Sequence, residues 1–476
     1  MTGQGKSAID TLLAESFKEL AKKHPIEKIT IKEITDLAGV IRPTYYNHFQ
    51  DKYELLEWII TTDLLDPIEP LIQNGMISEG LVLLFTNIEK DSEFYSRAIK
   101  LEGQNSFGEI AQIVNIDSGY DALEGIDEVA HIIGDFLTPY GFEVQYIETP
   151  NAPTHVLAKR PRPGKKKVML MGHMDTVFPK GTAAARPFRI EDGKAYGPGV
   201  MDMKAGIAIS LYTVKALLDN GWDDTDLTLF FCGDEEPAHL LTDAVEWFKK
   251  EGLGKDAVFN MEPGRADGSV VIGRKGVIRP VLTVKGTAAH AGNEPEKGAS
   301  AVLELCHKTI ALHALTDLEV GTTYNVGVFN GGSLANIVAD RAEARVDIRF
   351  KTAEEAEKAI KSVEAIAAKT YVTNTTTTVT ENRIEFMPLE TTDGVQKLYD
   401  HLSKQAEKLG LPVPGALYVG GSADSAWTAM VGAPTLCGMG PQAVGAHSNN
   451  EYLFVPSMTE RAQLLAMCIM HLDEMQ

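Results

Sequence analysis

Three apolar runs in the middle of this chain, "VMLMGHMD", "LTLFFCGDEE" and "AVFNMEPG", each end in side chains that resist leaving water. Short runs rich in Val, Leu, Phe and Met read as strands buried on both faces. Helical patterns such as "GIDEVAHIIGDFLTPYG" and "AGIAISLYTVKALLDNG" alternate with them. That alternation predicts an α/β domain: a mixed, mostly parallel sheet with helices on both faces. In an open α/β sheet the carboxyl ends of parallel strands converge on one crevice. His173 and Asp175 end the first run, Asp234, Glu235 and Glu236 the second, and Glu262 the third. Asp202 in "GPGVMDMKAG" and His447 in "PTLCGMGPQAVGAH" are predicted to join them there.

So many carboxylates in one crevice repel one another unless cations sit among them. A pair of divalent metal ions meets that need. Histidine and carboxylate donors without thiolates suit zinc, with manganese or cobalt as substitutes. The four cysteines, Cys232, Cys306, Cys437 and Cys468, show no C-x-x-C spacing and read as free thiols in a reducing cytoplasm. A formal net charge of -21 argues against a general surface for nucleic acid or anionic membrane. The apolar runs are too short to span a bilayer. "MTGQGKSAIDTLLAESF" has no basic segment leading into an apolar core, so a cytoplasmic location is expected.

The texture changes twice along the chain. Residues 277–388 run strand, helix, strand, strand, helix, strand, which predicts a ferredoxin-like α+β module inserted between 108–276 and 389–476. Residues 1–107 read as all-α. Within them a short helix (about Ile31 to Ala38), a turn at Gly39, a second helix from about Arg42 and a longer third make a helix-turn-helix pattern. In "LAGV", "YYNHF" and "DKYELL" this segment resembles the DNA-binding head of the tetracycline-repressor family. The resemblance implies that Arg42, Thr44, Tyr45, Tyr46 and His48 face the major groove or phosphates of DNA. Residues 1–58 nevertheless carry 8 Lys/Arg against 9 Asp/Glu, without the basic surplus of a DNA binder.

From residue 108 onward, "GHMDTVFP", "GPGVMDMKAG", "DEEP" and "MEPG" stand in order, followed by "KGTAAHAG", "NGGSLANIVAD" and "GGSADS...GAHSNNEY". This ordered set resembles the aminoacylase/carboxypeptidase family of dinuclear zinc peptidases, closest to its glutamate carboxypeptidase type. The resemblance implies two zinc ions bridged by Asp202, with His173 and Glu262 on one and Glu236 and His447 on the other. Asp175 would orient His173, and Glu235 would be the general base for a zinc-bridging hydroxide. His290 would reach the partner subunit's active site and stabilise the oxyanion. Asn336, Arg349 and Gly421 would bind substrate, and the inserted module would serve as lid and homodimer interface. "PAHLL" after "DEE" and Ala339 in "NIVAD" depart from the family pattern, where glycine and serine, and proline, are usual.

A metal-dependent hydrolase is therefore expected, cleaving an amide bond beside a free carboxylate in a small peptide or N-acyl amino acid, for example at a C-terminal glutamate. The alternatives are a DNA-binding regulator with a hydrolase-like sensor, or a fusion near residue 107 whose N-terminal part has no function.

Overall fold

The three apolar runs lie side by side. Lys166–His173 pairs in parallel with Thr225–Cys232 on one side and with Ala257–Asn260 on the other. Thr435–Leu436 extends the sheet in parallel beyond Ala257–Asn260. His155–Arg160 and then Glu143–Ile147 extend the opposite edge, both antiparallel. The computed structural model that shows this describes residues 8–24, 26–49, 51–73, 76, 83, 86–88, 90–98 and 108–475. It divides into two compact units, Met1–Gly108 and Glu109–Gln476. Among the described residues, no helix is long and apolar enough to cross a membrane.

Both faces of the central strands are buried, as continuous apolar runs require. Met169, Met171, Phe230 and Val258 pack with Phe248 and Trp427 from two helices, while Val168, Leu170, Leu229 and Phe231 of the other parity are equally covered. The helices Leu123–Leu137 and Ala205–Asp219 also lie against strands of this sheet. A Cβ at Gly206 would fall 1.9 Å from the carbonyl oxygen of Met261. That glycine therefore lets the helix after Asp202 close onto the backbone beside Glu262. Phe230, fully buried and edge-on to Phe248 at 4.7 Å between centroids, sits at the centre of this packing. Phe230→Ala is expected to cost about 3–5 kcal/mol in urea unfolding, because the cavity cannot close against a rigid sheet.

A second, antiparallel sheet follows in the chain. Val281–Lys285 lies between Thr376–Thr380 and Arg341–Phe350, and Thr323–Gly331 pairs with Arg341–Phe350. The helices Ala301–His313 and Ala353–Ala368 pack on it through Leu305, Leu312, Ala356 and Val363. The stretch "VIRPVLTVKG", expected as one strand, is two: Gly276–Ile278 and Val281–Lys285. Pro280 lies in the break and has no N–H for a ladder. "TTTTVTENRIEF" likewise splits into Thr376–Thr380 and Ile384–Phe386, with Glu381 in a left-handed conformation (φ 56).

In the N-terminal unit, the helix Ile31–Ala38 starts with a reciprocal Thr30–Glu33 capping box and stops at left-handed Gly39. Arg42–Tyr46 and Lys52–Ile60 follow. Leu13, Phe17, Ile34, Tyr45, Phe49 and Leu55 form the unit's core. This corrects one expectation. Tyr45 does not face outward; it is fully buried, and its hydroxyl donates to the Asp51 carbonyl. Arg42 and Tyr46 are exposed and lie against each other, Thr44 is half-buried, and His48 is held 2.7 Å from Asp10. Residues 99–107, where the sequence changes character, lie outside the described residues.

Candidate active site

Strand ends and loops bring the acidic and histidine residues to one place. His173 closes the strand Lys166–His173, and its Nε2 lies 3.2 Å from Asp202 Oδ1 and 3.6 Å from Glu262 Oε1. His447 Nε2 lies 3.3 Å from the other oxygen of Asp202, Oδ2, and 3.5 Å from Glu236 Oε2. One carboxylate thus faces two imidazoles, one with each oxygen. The donor atoms form two groups, His173/Asp202/Glu262 and Asp202/Glu236/His447, each within 4.8 Å and sharing Asp202. Asp202 sits in a non-helical kink before the helix Ala205–Asp219, and the Asp202–Met203 peptide is cis.

Asp175 has more contacts than the orienting role alone requires. Its main-chain carbonyl lies 3.0 Å from His173 Nδ1, with the carboxylate 3.3 Å away. That carboxylate accepts the backbone N–H groups of Glu235 (3.1 Å) and Glu236 (2.9 Å). One buried residue therefore sets the imidazole, chiefly through its main chain, and, through its carboxylate, the turn carrying both glutamates. Glu451 does similar work for Asp202, accepting from the backbone N–H of Gly199 (2.7 Å) and Met201 (3.3 Å).

Burial dominates the electrostatics of the site's glutamates. Burial pushes Glu236 up to about 8 and Glu262 up to about 7, with neighbouring Asp202 adding to both. Burial also holds Glu235 well above the usual carboxylate range. Asp202 is the exception, because hydrogen bonds with His173 and His447 outweigh its burial and keep it ionised. The hydrogen bond with Asp202 in turn lifts His447 to about 9. Glu236 Oε1 is buried without any hydrogen-bond partner. Buried polar atoms are normally satisfied. An orphaned carboxylate oxygen beside two imidazoles and two more carboxylates fits a pair of divalent cations, and neither donor group contains a thiol.

Behind the glutamates lies a polar network that sequence reasoning missed. His239 Nε2 is 2.6 Å from Asp424 Oδ1 and its Nδ1 is 3.3 Å from Asp234 Oδ1. Thr242 Oγ1 donates to Asp234 and lies 2.9 Å from His155 Nε2. The Gly233 N–H donates to His155 Nδ1, so the His155 proton sits on Nε2. Burial holds His155 below its ordinary value of 6.5. The unfolded chain then takes up more protons as pH falls through that value, so this residue's contribution favours folding less on acidification. His155→Gln can keep both hydrogen bonds and cannot titrate. It is expected to flatten the loss of urea stability between about pH 7.5 and 5.5.

The remaining expected residues lie elsewhere. His290 is on the second sheet's loops, where the backbone N–H groups of Gly292 (3.1 Å) and Asn293 (3.0 Å) both donate to its Nδ1. Its proton is therefore on Nε2. Asn336, in the adjoining segment, accepts through its main-chain carbonyl from the Ala291 N–H. Arg349 forms a two-toothed ion pair with Asp347 and also reaches the Gly420 carbonyl and Ser422 Oγ, each at 3.4 Å. Arg274, buried and unremarked in the sequence, binds the carbonyls of Gly421 and Ser422 at 3.2 Å each. Two guanidinium groups thus touch the loop containing Gly421. Neither His290 nor Asn336 has a contact with the two donor groups.

Residues 169–471 match the profile of peptidase family M20/M25/M40. Carboxypeptidase G2 of Pseudomonas sp. (strain RS-16) is 29% identical over 370 residues, covering 76% of this chain and 88% of its own. Succinyl-diaminopimelate desuccinylase of Gluconobacter oxydans is 32% identical over 237 residues, 46% of this chain and 61% of its own. Among solved structures, aminopeptidase PepT of Bacillus cereus superposes with a TM-score of 0.65 at 23% identity, over 77% of this chain and 99% of that one. The metallo-carboxypeptidase Sso-CP2 of Sulfolobus solfataricus gives a TM-score of 0.61 at 17% identity, over 76% of this chain and 97% of its own. The profile match spans more than half the chain, the α/β catalytic fold is shared, and the chain belongs to peptidase family M20/M25/M40, a family of metal-dependent peptidases and amidohydrolases.

Proposed function

We propose that the protein is a dinuclear zinc hydrolase that cleaves an amide bond beside a free carboxylate, in a small peptide or an N-acyl amino acid. A C-terminal glutamate is the favoured leaving residue. The observation that carries this reading is Asp202, whose two oxygens face His173 and His447 separately. His173, Asp202 and Glu262 would hold one ion, and Asp202, Glu236 and His447 the other. Such ions acidify water and polarise the scissile carbonyl when bound.

The chain's own groups supply the rest. Glu235 takes a proton from the attacking water and returns it to the leaving nitrogen. Its raised proton affinity in the metal-free protein follows from burial, and Asp175 fixes the turn from which it projects. His290, with its proton on Nε2, can donate to an oxyanion. It has no contact with either donor group in one chain, which favours a homodimer in which it serves the partner subunit. Residues 277–388 would form the lid and dimer interface, and 108–276 with 389–476 the catalytic domain. Exposed Val328 and Phe329 on an outer strand, with Ile310 on the adjacent helix, offer that interface apolar surface. Arg349, Gly421 and Asn336 would receive the substrate carboxylate, the guanidinium through charge-assisted hydrogen bonds.

Two observations weigh against the DNA-binding alternative. Tyr45 is inside the N-terminal core, and His48 is engaged with Asp10. The test of the hydrolase reading is a panel of dipeptides and N-acyl amino acids with the zinc-loaded protein, alongside metal analysis. Hydrolysis of acyl-glutamates with roughly two ions per chain is expected, and a metal-replete protein inert across the panel would refute it.

A further inference from the structure

His239 lies in "PAHLL", the part of the sequence that departs from the family pattern. Ala238 and His239 both adopt left-handed backbone conformations, φ 57 and 53. Two consecutive non-glycine residues of this kind persist only where their surroundings hold them. The backbone there is closed by Ala238 N–H to the Glu235 carbonyl (2.7 Å) and His239 N–H to the Asp234 carbonyl (2.9 Å). The result turns the imidazole inward, with a side chain 2% exposed, while Leu240 and Leu241 point out.

Each ring nitrogen of His239 faces a buried carboxylate, Asp234 on one side and Asp424 on the other. The ring therefore bridges two aspartates that lie far apart in the chain. Asp424 heads the helix Ser425–Met430 but makes no capping bond with its side chain. It is turned instead to His239 and to the Cys232 thiol, 3.5 Å from its Oδ2. Asp234 is anchored from the other side by Thr242, itself fixed by His155. The same ring therefore ties the residue immediately before Glu235 to the end of the Gly420–Asp424 loop, whose other end contacts Arg349.

We infer that His239 is a positioning residue that clamps the Glu235 turn to the Gly420–Asp424 loop, so that proton transfer and capture of the substrate carboxylate share one rigid frame. This rests on Glu235 as base and on the loop as the carboxylate site. It also gives "PAHLL" a purpose: the left-handed pair is what delivers an imidazole backward between the two acids. His239→Gln can reach one carboxylate and not both.

The test has two arms, each on the full-length protein. In the metal-free protein, hydrogen exchange is followed in peptides covering residues 233–242 and 420–430. His239→Gln and the near-isosteric Asp424→Asn are each expected to speed exchange at least about tenfold in both segments. In the zinc-loaded protein, both variants should lower kcat roughly 10–100-fold and raise KM with metal content unchanged. The loss in the double variant should fall well short of the product of the single losses, because both substitutions break the same His239–Asp424 contact. A merely structural role would lower the active fraction and leave KM alone. Acceleration confined to residues 233–242, or multiplicative losses in the double variant, would overturn the clamp. Should the wild-type protein hydrolyse nothing on the panel, the functional reading fails while the exchange arm still decides the clamp. If His239→Gln does not fold, Asp424→Asn carries both arms alone.

Discussion

Glu235→Gln is expected to keep its metal and lose hydrolysis by about 10²–10⁴-fold in kcat, the range spanned by a lost general acid–base. The amide matches the carboxylate in size, and the turn that carries it is held through backbone N–H groups by Asp175, which the substitution leaves in place. Neither donor group includes Glu235, so the metal content should match the wild type. KM should change little, because the lost interaction acts on the proton in flight. Metal analysis, stopped-time kinetics on acyl-glutamates and a thermal melt together check this. A variant retaining full activity with normal metal content would remove Glu235 from the mechanism.

Asp202→Asn should be more severe in a different way. Because one carboxylate belongs to both donor groups, its loss weakens both at once. Activity should fall to background and metal content from roughly two ions per chain to below one. The stabilisation conferred by zinc on the wild-type protein is linked to its affinity, about 2.7 kcal/mol at a hundredfold excess over Kd. In Asp202→Asn that increment should shrink towards zero, read as the difference in urea midpoint with and without zinc. A single-site residue such as Glu262 gives the contrast, since Glu262→Gln touches only the His173 group and should leave the other ion in place. Equal loss from both variants would argue against a shared bridging carboxylate.

Much of the catalytic sheet was legible because buried parallel strands leave long apolar runs, and because such runs end in a crevice where polar groups gather. On that ground the sequence alone assigns His173, Asp202, Glu236, Glu262 and His447 to one place. Breaks inside strands were less legible. Pro280 is a visible interruption, yet the run around it is apolar enough to read as continuous. Tyr45 illustrates a different failure. In a helix of only five residues, periodicity cannot say which side faces the core, and the aromatic side chain went inward.

The network behind the glutamates lay beyond sequence reasoning for a physical reason. His239 and Asp424 are separated by 185 positions, and His155 and Thr242 by 87. Polar contacts at such separations leave no local periodicity or spacing to detect. Sequence alone determined which chemistry this protein could gather, because residue type and strand-end position are local properties. Only the tertiary structure decided which oxygen of Asp202 meets which imidazole, and that His239 faces inward between two acids, because those are relations between segments that folding alone brings into contact.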